Sequence, residues 1–127
     1  MNQLLKDTKI IAVVGLSDKP SRPSYDVARY MQQAGYKIIP VNPQCTEILG
    51  ETCYPDLLSI PEKIDMVNMF RKPEDCLDVA KHAVKIGAKS LWLQLGIINQ
   101  EAANYAEAHG LKVIMDHCIK VEHRNTQ

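Results

Sequence analysis

The sequence is poor in aromatic side chains, with one Trp and one Phe in 127 residues, and it has no excess of either charge. Lys plus Arg number 15, the same as Asp plus Glu. Broad nucleic-acid binding needs a basic footprint to neutralise phosphates, so this balance argues against that class. It leaves room for a local cationic cluster around one small phosphorylated ligand. No apolar run approaches the roughly 20 residues that span a bilayer, and Met1 to Lys9 is polar, with no secretory core. The four cysteines, Cys45, Cys53, Cys76 and Cys118, include no Cys-x-x-Cys pair. With no export segment they read as reduced thiols of a cytoplasmic protein. A zinc site built from Cys45, Cys53 and a distant His lacks the ligand spacing, so no metal is expected.

Two familiar nucleotide signatures are also missing. After Ile10 to Val14 only Gly15 of a Gly-x-Gly-x-x-Gly run is present, and Ser17 stands where the second glycine would fall. There is no Gly-Lys-Ser/Thr ending of a phosphate-binding loop. The second strand ends Val41-Asn42-Pro43, without the Asp or Glu that binds a ribose hydroxyl in NAD sites, so NAD is disfavoured.

What the sequence does contain is a threefold pattern in which a helical segment ends at Gly, and Lys two positions later leads into an apolar strand. The instances are Gly35-Tyr-Lys, Gly87-Ala-Lys and Gly110-Leu-Lys. Near-continuous apolar strands suit a parallel sheet covered on both faces. Strands are expected at 10–14, 38–41, 65–69, 90–93 and 112–115. Helices are expected from about Ser24 to Ala34 (buried stripe Val27, Ala28, Met31, Ala34), from Pro73 with Val79, Ala80, Ala83 and Val84 inward, and from an Asn99 N-cap to His109. Residues 42–63 read as irregular, with a short turn near Asp56 to Ser59, and the tail from Asp116 reads as polar and frayed after Glu122. Length and pattern predict one domain, 1–127, of α/β class. The expected fold is a Rossmann-like three-layer fold, with a five-stranded parallel sheet in order 3-2-1-4-5 and helices on both faces. Ligands of such sheets bind in the crevice outside the carboxyl ends of the strands, where the connections reverse. In this order the reversal falls between the first and fourth strands.

The residues just after each strand are therefore the candidates. The loop Gly15-Leu-Ser-Asp-Lys-Pro-Ser-Arg-Pro-Ser24 is longer than the usual two to about six residues. It offers Gly15 for close backbone approach, Ser17, Ser21 and Ser24 as hydroxyls, Lys19 and Arg22 as cations, and Pro23 at the helix start. A phosphate would meet exposed N–H groups there. Phe70 and Arg71 end the third strand; they suit a flat ring and a phosphate, or equally a core residue and a solvated charge. Gln94 ends the fourth strand and suits either an amide-bearing ligand arm or the capping of local backbone. Trp92 reads as core. In Asp116-His117-Cys118 the adjacent residues point apart, which argues against a Cys–His nucleophile. His82, His109 and His123 are assigned no role, and no catalytic constellation emerges.

The segments 11–25 (Ile-Ala-Val-Val-Gly-Leu-Ser-Asp-Lys-Pro-Ser-Arg-Pro-Ser-Tyr), Ile39-Pro-Val-Asn-Pro43, Pro61 to Val67, Phe70-Arg71, Leu91 to Ile97 and Asp116 to Lys120 together resemble the small stand-alone CoA-binding proteins. That family is similar to the CoA-binding domain of the succinyl-CoA synthetase alpha subunit. The resemblance covers nearly the whole chain. It implies coenzyme A or an acyl-CoA as the ligand. By position, the Gly15 to Ser24 loop would hold the pyrophosphate, Asn42 and Pro43 would border the adenosine, and Phe70, Arg71 and Gln94 would line the nucleotide and pantetheine path. His117 departs from the Arg expected between Asp and Cys, which removes a permanent cation from the tail. The synthetase's phosphorylated histidine lies outside such a domain, so its chemistry does not carry over. The expectation is non-catalytic binding of CoA or an acyl-CoA, with no nucleic acid and no membrane. An NAD(P)-linked enzyme or redox sensor using the same crevice, and a subunit of an acyl-CoA-processing complex, are the alternatives. A homodimer or protein partner stays open.

Overall fold

The computed structural model describes residues 1–126 and shows an α/β fold. Five parallel strands form the main sheet: β1 (Ile10–Val14), β2 (Lys37–Val41), β5 (Met66–Met69), β6 (Ser90–Leu93) and β7 (Lys112–Met115). The helices are α1 (Asn2–Asp7), α2 (Pro23–Gln33), α3 (Cys76–Lys85), α4 (Gln100–Ala108) and α5 (Ile119–Asn125). Successive side chains of a strand point to opposite faces, and the core divides accordingly. Ala12, Val14, Val67, Met69, Leu91 and Leu93 pack with Val79, Ala80 and Ala83 of α3 and Ala102 and Ala106 of α4. Ile11, Val13, Ile38, Met66 and Trp92 pack on the other face with Leu5 of α1, Val27, Ala28 and Met31 of α2, and Ile119 of α5. The layered α/β class, the parallel sheet and the two-sided helical cover are as the sequence led one to expect.

The strand order differs from the expected 3-2-1-4-5. It runs β2-β1-β5-β6-β7, so the third main strand lies beside the first rather than beyond the second. Pro40 explains the difference. It lacks an N–H and is tolerated chiefly on an edge strand, with the empty position outward. The outer side of β2 carries no full strand. Instead Tyr54 donates its N–H to the Pro40 carbonyl at 3.0 Å and accepts from Asn42 N–H at 2.9 Å. The direction of connection therefore reverses between β1 and β5, and the crevice opens at the ends of those two strands, not between the first and fourth.

Smaller corrections follow from packing. Residues 47–52 hold a two-stranded hairpin, β3 (Glu47–Ile48) with β4 (Glu51–Thr52), inside the stretch expected to be irregular. Ala34 is exposed rather than buried. The segment at Pro73 starts as a 3-10 turn, Pro73–Asp75, before α3. The tail does not fray after Glu122. It forms α5, which docks on α2 through the Lys120–Asp26 ion pair at 2.8 Å and the Tyr30 hydroxyl to His123 Nδ1 contact at 2.9 Å. The expected turn is present at Leu57–Ser59, capped by Asp56, and Asn99 caps α4 by accepting from Ala102 N–H at 2.9 Å. Among the described residues no helix is long and apolar enough to cross a membrane.

Candidate functional site

Two clefts meet at Gly15, at the carboxyl ends of β1, β2 and β5. The first, of about 440 Å³, lies between the ends of β1 and β2 and the start of α3, with Asn42, Pro43, Arg71, Asp75, Val79 and His82 in its walls. The second, of about 400 Å³, lies over the β1–α2 loop and is lined by Gly15, Ser17, Lys19, Arg22, Pro23, Ser24 and Phe70. An elongated ligand straddling Gly15 would occupy both.

Gly15 is glycine for two reasons. Its φ of +85° belongs to the left-handed region that side chains resist. A Cβ there would also stand 2.8 Å from Arg71 Cγ and 3.3 Å from the Phe70 carbonyl carbon. The backbone is pinned by Gly15 N–H donating to the Val41 carbonyl at 2.9 Å and Phe70 N–H donating to the Val14 carbonyl at 2.9 Å.

The loop that follows is tied by its own hydroxyls. Ser17 N–H donates to Ser24 Oγ at 3.0 Å, and Lys19 N–H donates to Ser17 Oγ at 3.1 Å. Arg22 takes the N-cap position of α2 in extended conformation, without a side-chain cap bond, and Pro23 opens the helix. The first turn of an 11-residue helix thus has no side-chain acceptor over its N–H groups, the arrangement that receives an anion. Lys19 and Arg22 stand at this end and form no ion pair among the described residues. Asn42 serves the loop as a brace: its Nδ2 donates to the Leu16 carbonyl at 2.9 Å and its Oδ1 accepts from Gln44 N–H at 2.8 Å.

Of the residues singled out from sequence, Gly15, Ser17, Lys19, Arg22, Pro23, Ser24 and Phe70 come together in one cleft, and Gly15, Asn42, Pro43 and Arg71 in the other. Gln94 lines neither. It is 5% exposed, and its Oε1 accepts from Asn68 Nδ2 and from Ile119 N–H, both at 3.3 Å. The amide therefore caps the start of α5, the second of its two readings. Arg71 is half-exposed and pairs with Asp75 at 3.3 Å. Phe70 is half-buried against the α2 face of the core.

Sequence reasoning missed the far wall of the first cleft. Asp56, Leu57, Asp75, Asp78, Val79 and His82 line it. The i, i+3, i+4 and i+7 spacing of Asp75, Asp78, Val79 and His82 puts them on one helical face, a signal that was available once α3 was known to flank the crevice.

The surroundings shift some of the cysteine thiols. Burial, with the neighbouring Asp75 and Glu74 carboxylates, pushes the Cys76 thiol up to about 11. Burial and then Asp18 push the Cys45 thiol up. His117 faces Glu122, Nδ1 to Oε2 3.3 Å, and its carbonyl accepts from Trp92 Nε1 at 2.8 Å. Among the described residues no three His, Cys, Asp or Glu side chains gather as a metal site.

The chain is 45% identical over 127 residues to the uncharacterised protein YneT of Bacillus subtilis, covering all of this chain and 94% of that one. A solved structure of a hypothetical protein from Pyrococcus horikoshii superposes with a TM-score of 0.95 at 40% identity, over 98% of this chain and 87% of that one. An ADP-forming acetate–CoA ligase of Archaeoglobus fulgidus is 29% identical over 122 residues, which are 93% of this chain but only 18% of the ligase. Residues 9–124 match the family model described as a CoA-binding domain, and the chain belongs to that family.

Proposed function

We propose that the protein binds coenzyme A or an acyl-CoA across Gly15 and does not itself turn it over. The adenosine sits in the cleft bordered by Asn42, Pro43 and α3. The diphosphate lies against the open first turn of α2, between Lys19 and Arg22. The pantetheine passes Phe70 toward the ends of β5 and β6. The observation that carries this reading is the pair of clefts joined at a glycine whose Cβ position is blocked. One cleft has an apolar floor and fits a base; the other has two cations at a helix N-terminus that form no ion pair among the described residues, and fits a diphosphate.

Two observations keep competing readings in the test. Asp56 lines the cleft beside Asn42, a carboxylate the sequence did not place there, which is the group a nicotinamide dinucleotide would use for its ribose. The similarity to 18% of a much larger ligase fits a subunit that hands CoA to a separate catalytic partner. The deciding experiment compares CoA and NAD at equal concentration by calorimetry and thermal shift, with mass spectrometry of ligand released from protein purified without added cofactor. A native-state ligand raises the melting temperature by mass action. A larger shift with CoA than with NAD supports the proposal, and an equal or larger shift with NAD overturns it.

A further inference from the structure

The turn after β6 exposes two large apolar side chains three positions apart: Leu95 is 66% exposed and Ile98 is 56% exposed. Isolated apolar side chains on a surface are ordinary, but this pair is held out by a built turn. Ile97 N–H donates to the Gln94 carbonyl at 2.9 Å, and Gly96 N–H donates to Asp116 Oδ1 at 2.7 Å. The space over Gly96 is open, with no atom within 4 Å of a Cβ built there. The turn lies beside the end of β5. Gln94 N–H donates to the Met69 carbonyl at 3.2 Å, so Leu95 follows the residue bonded to the last residue of β5, and the next residue of that chain segment, Phe70, lines the second cleft.

Resting on the CoA reading, we infer that Leu95 and Ile98 seat the acyl chain of an acyl-CoA, so that the ligand class is a thioester with a short or medium apolar chain rather than free CoA. From Gly15 at the end of β1 to the end of β6 is two strand spacings, about 10 Å, a distance the pantetheine arm covers. A ligand whose phosphates lie on the α2 turn and whose arm passes Phe70 brings its thiol to this turn. The alternative occupant is a protein surface. A stable protein interface takes about 800 Å² and 20 or more residues on each side. Among the described residues the only other large exposed apolar side chains are Met1, Leu58 and Val121, none of them part of this turn. Two side chains suffice to cover part of a short apolar chain and fall well short of a subunit interface.

Calorimetry with CoA, acetyl-CoA and hexanoyl-CoA tests this, on the wild type and on Leu95→Ser/Ile98→Ser. Both positions are exposed, so the double variant keeps its core. Partial burial of four added methylenes predicts hexanoyl-CoA binding on the order of tenfold tighter than acetyl-CoA. In the double variant that ratio falls toward one. A ratio near one in the wild type overturns the inference while leaving CoA binding intact. A ratio that survives the double substitution places the chain elsewhere and overturns it too. A concentration-dependent dimer that the double variant dissolves, seen by sedimentation, assigns the pair to a second copy and also overturns it. Absence of binding by any of the three compounds is a different result: it refutes the CoA reading itself.

Discussion

Replacing Gly15 tests the placement of the ligand and the physics of the turn together. At φ +85° a residue with a Cβ costs about 1–2 kcal/mol from left-handed backbone alone. The new Cβ would stand 2.8 Å from Arg71 Cγ, so that side chain must swing away, loosening its half-exposed ion pair with Asp75, worth up to about 1 kcal/mol. The Phe70 carbonyl carbon, at 3.3 Å, is backbone and yields less easily. Gly15→Ala should therefore lose about 1–3 kcal/mol, toward the upper end if the Phe70 backbone does not yield, a fall in Tm of about 3–15 °C for a domain of this size. Gly35→Ala is the control. Its φ is +106° with no atom within 4 Å of the added Cβ, so it should lose only the backbone cost of about 1–2 kcal/mol. Trp92 is the sole tryptophan and fully buried, so its fluorescence reports denaturant unfolding directly. CoA affinity, measured by calorimetry on folded protein, should fall at least tenfold in Gly15→Ala and further in Gly15→Val. If Gly15→Ala is no less stable than Gly35→Ala, the contact argument is wrong. If folded Gly15→Val binds CoA as the wild type does, the phosphates do not approach this backbone.

Arg22 stands at the N-cap of α2 with no ion pair among the described residues, so Arg22→Ala should leave stability within about 0.5 kcal/mol and weaken CoA binding by about 1–3 kcal/mol, the loss of a charge-assisted hydrogen bond; unchanged calorimetric affinity removes Arg22 from the site. The first cleft holds Asp56, Asp75 and Asp78 against Arg71, which Asp75 already engages, so a 3′-phosphate finds no free cation there. Dephospho-CoA should then bind within about threefold of CoA, a difference under 1 kcal/mol, and a loss beyond tenfold would mean that a cation outside this cleft holds that phosphate. Asp26 lies below the usual carboxylate value because Lys120 donates to it, with Arg29 adding to the effect. A carboxylate lowered in the folded state stabilises above its unfolded value of about 3.9 and loses that contribution as pH falls through the folded value. The pair is exposed enough to limit this to under about 1 kcal/mol. Wild-type Tm should therefore fall faster than that of Asp26→Asn below about pH 4, and parallel melting curves across the acid range would contradict the linkage.

Much of this was readable in the chain because it depends on local chemistry. Apolar strands led by Gly-x-Lys, Pro23 and Pro73 at helix starts and the Asn99 cap are fixed by spacing and by each residue's own conformational preferences. The loop from Gly15 to Ser24 announced itself by length and by its two cations, and Gly15, Ser17, Lys19, Arg22, Pro23 and Ser24 do gather in one cleft. Pro40 carried a legible instruction as well, since a proline inside a strand marks an edge. Tertiary structure decided what depends on which elements become neighbours. Strand order follows from competition among pairings across the whole sheet, and it moved the crevice to the β1–β5 boundary, where Phe70 and Arg71 meet Gly15. Gln94 offers the same amide to a ligand or to a helix, and only the docking of α5 turned it to Ile119 N–H. The wall of Asp75, Asp78 and His82 looks in sequence like an ordinary solvated helix face; it lines a cleft because the fold sets α3 across from the end of β2, residues some 35 positions apart, which no local signal encodes.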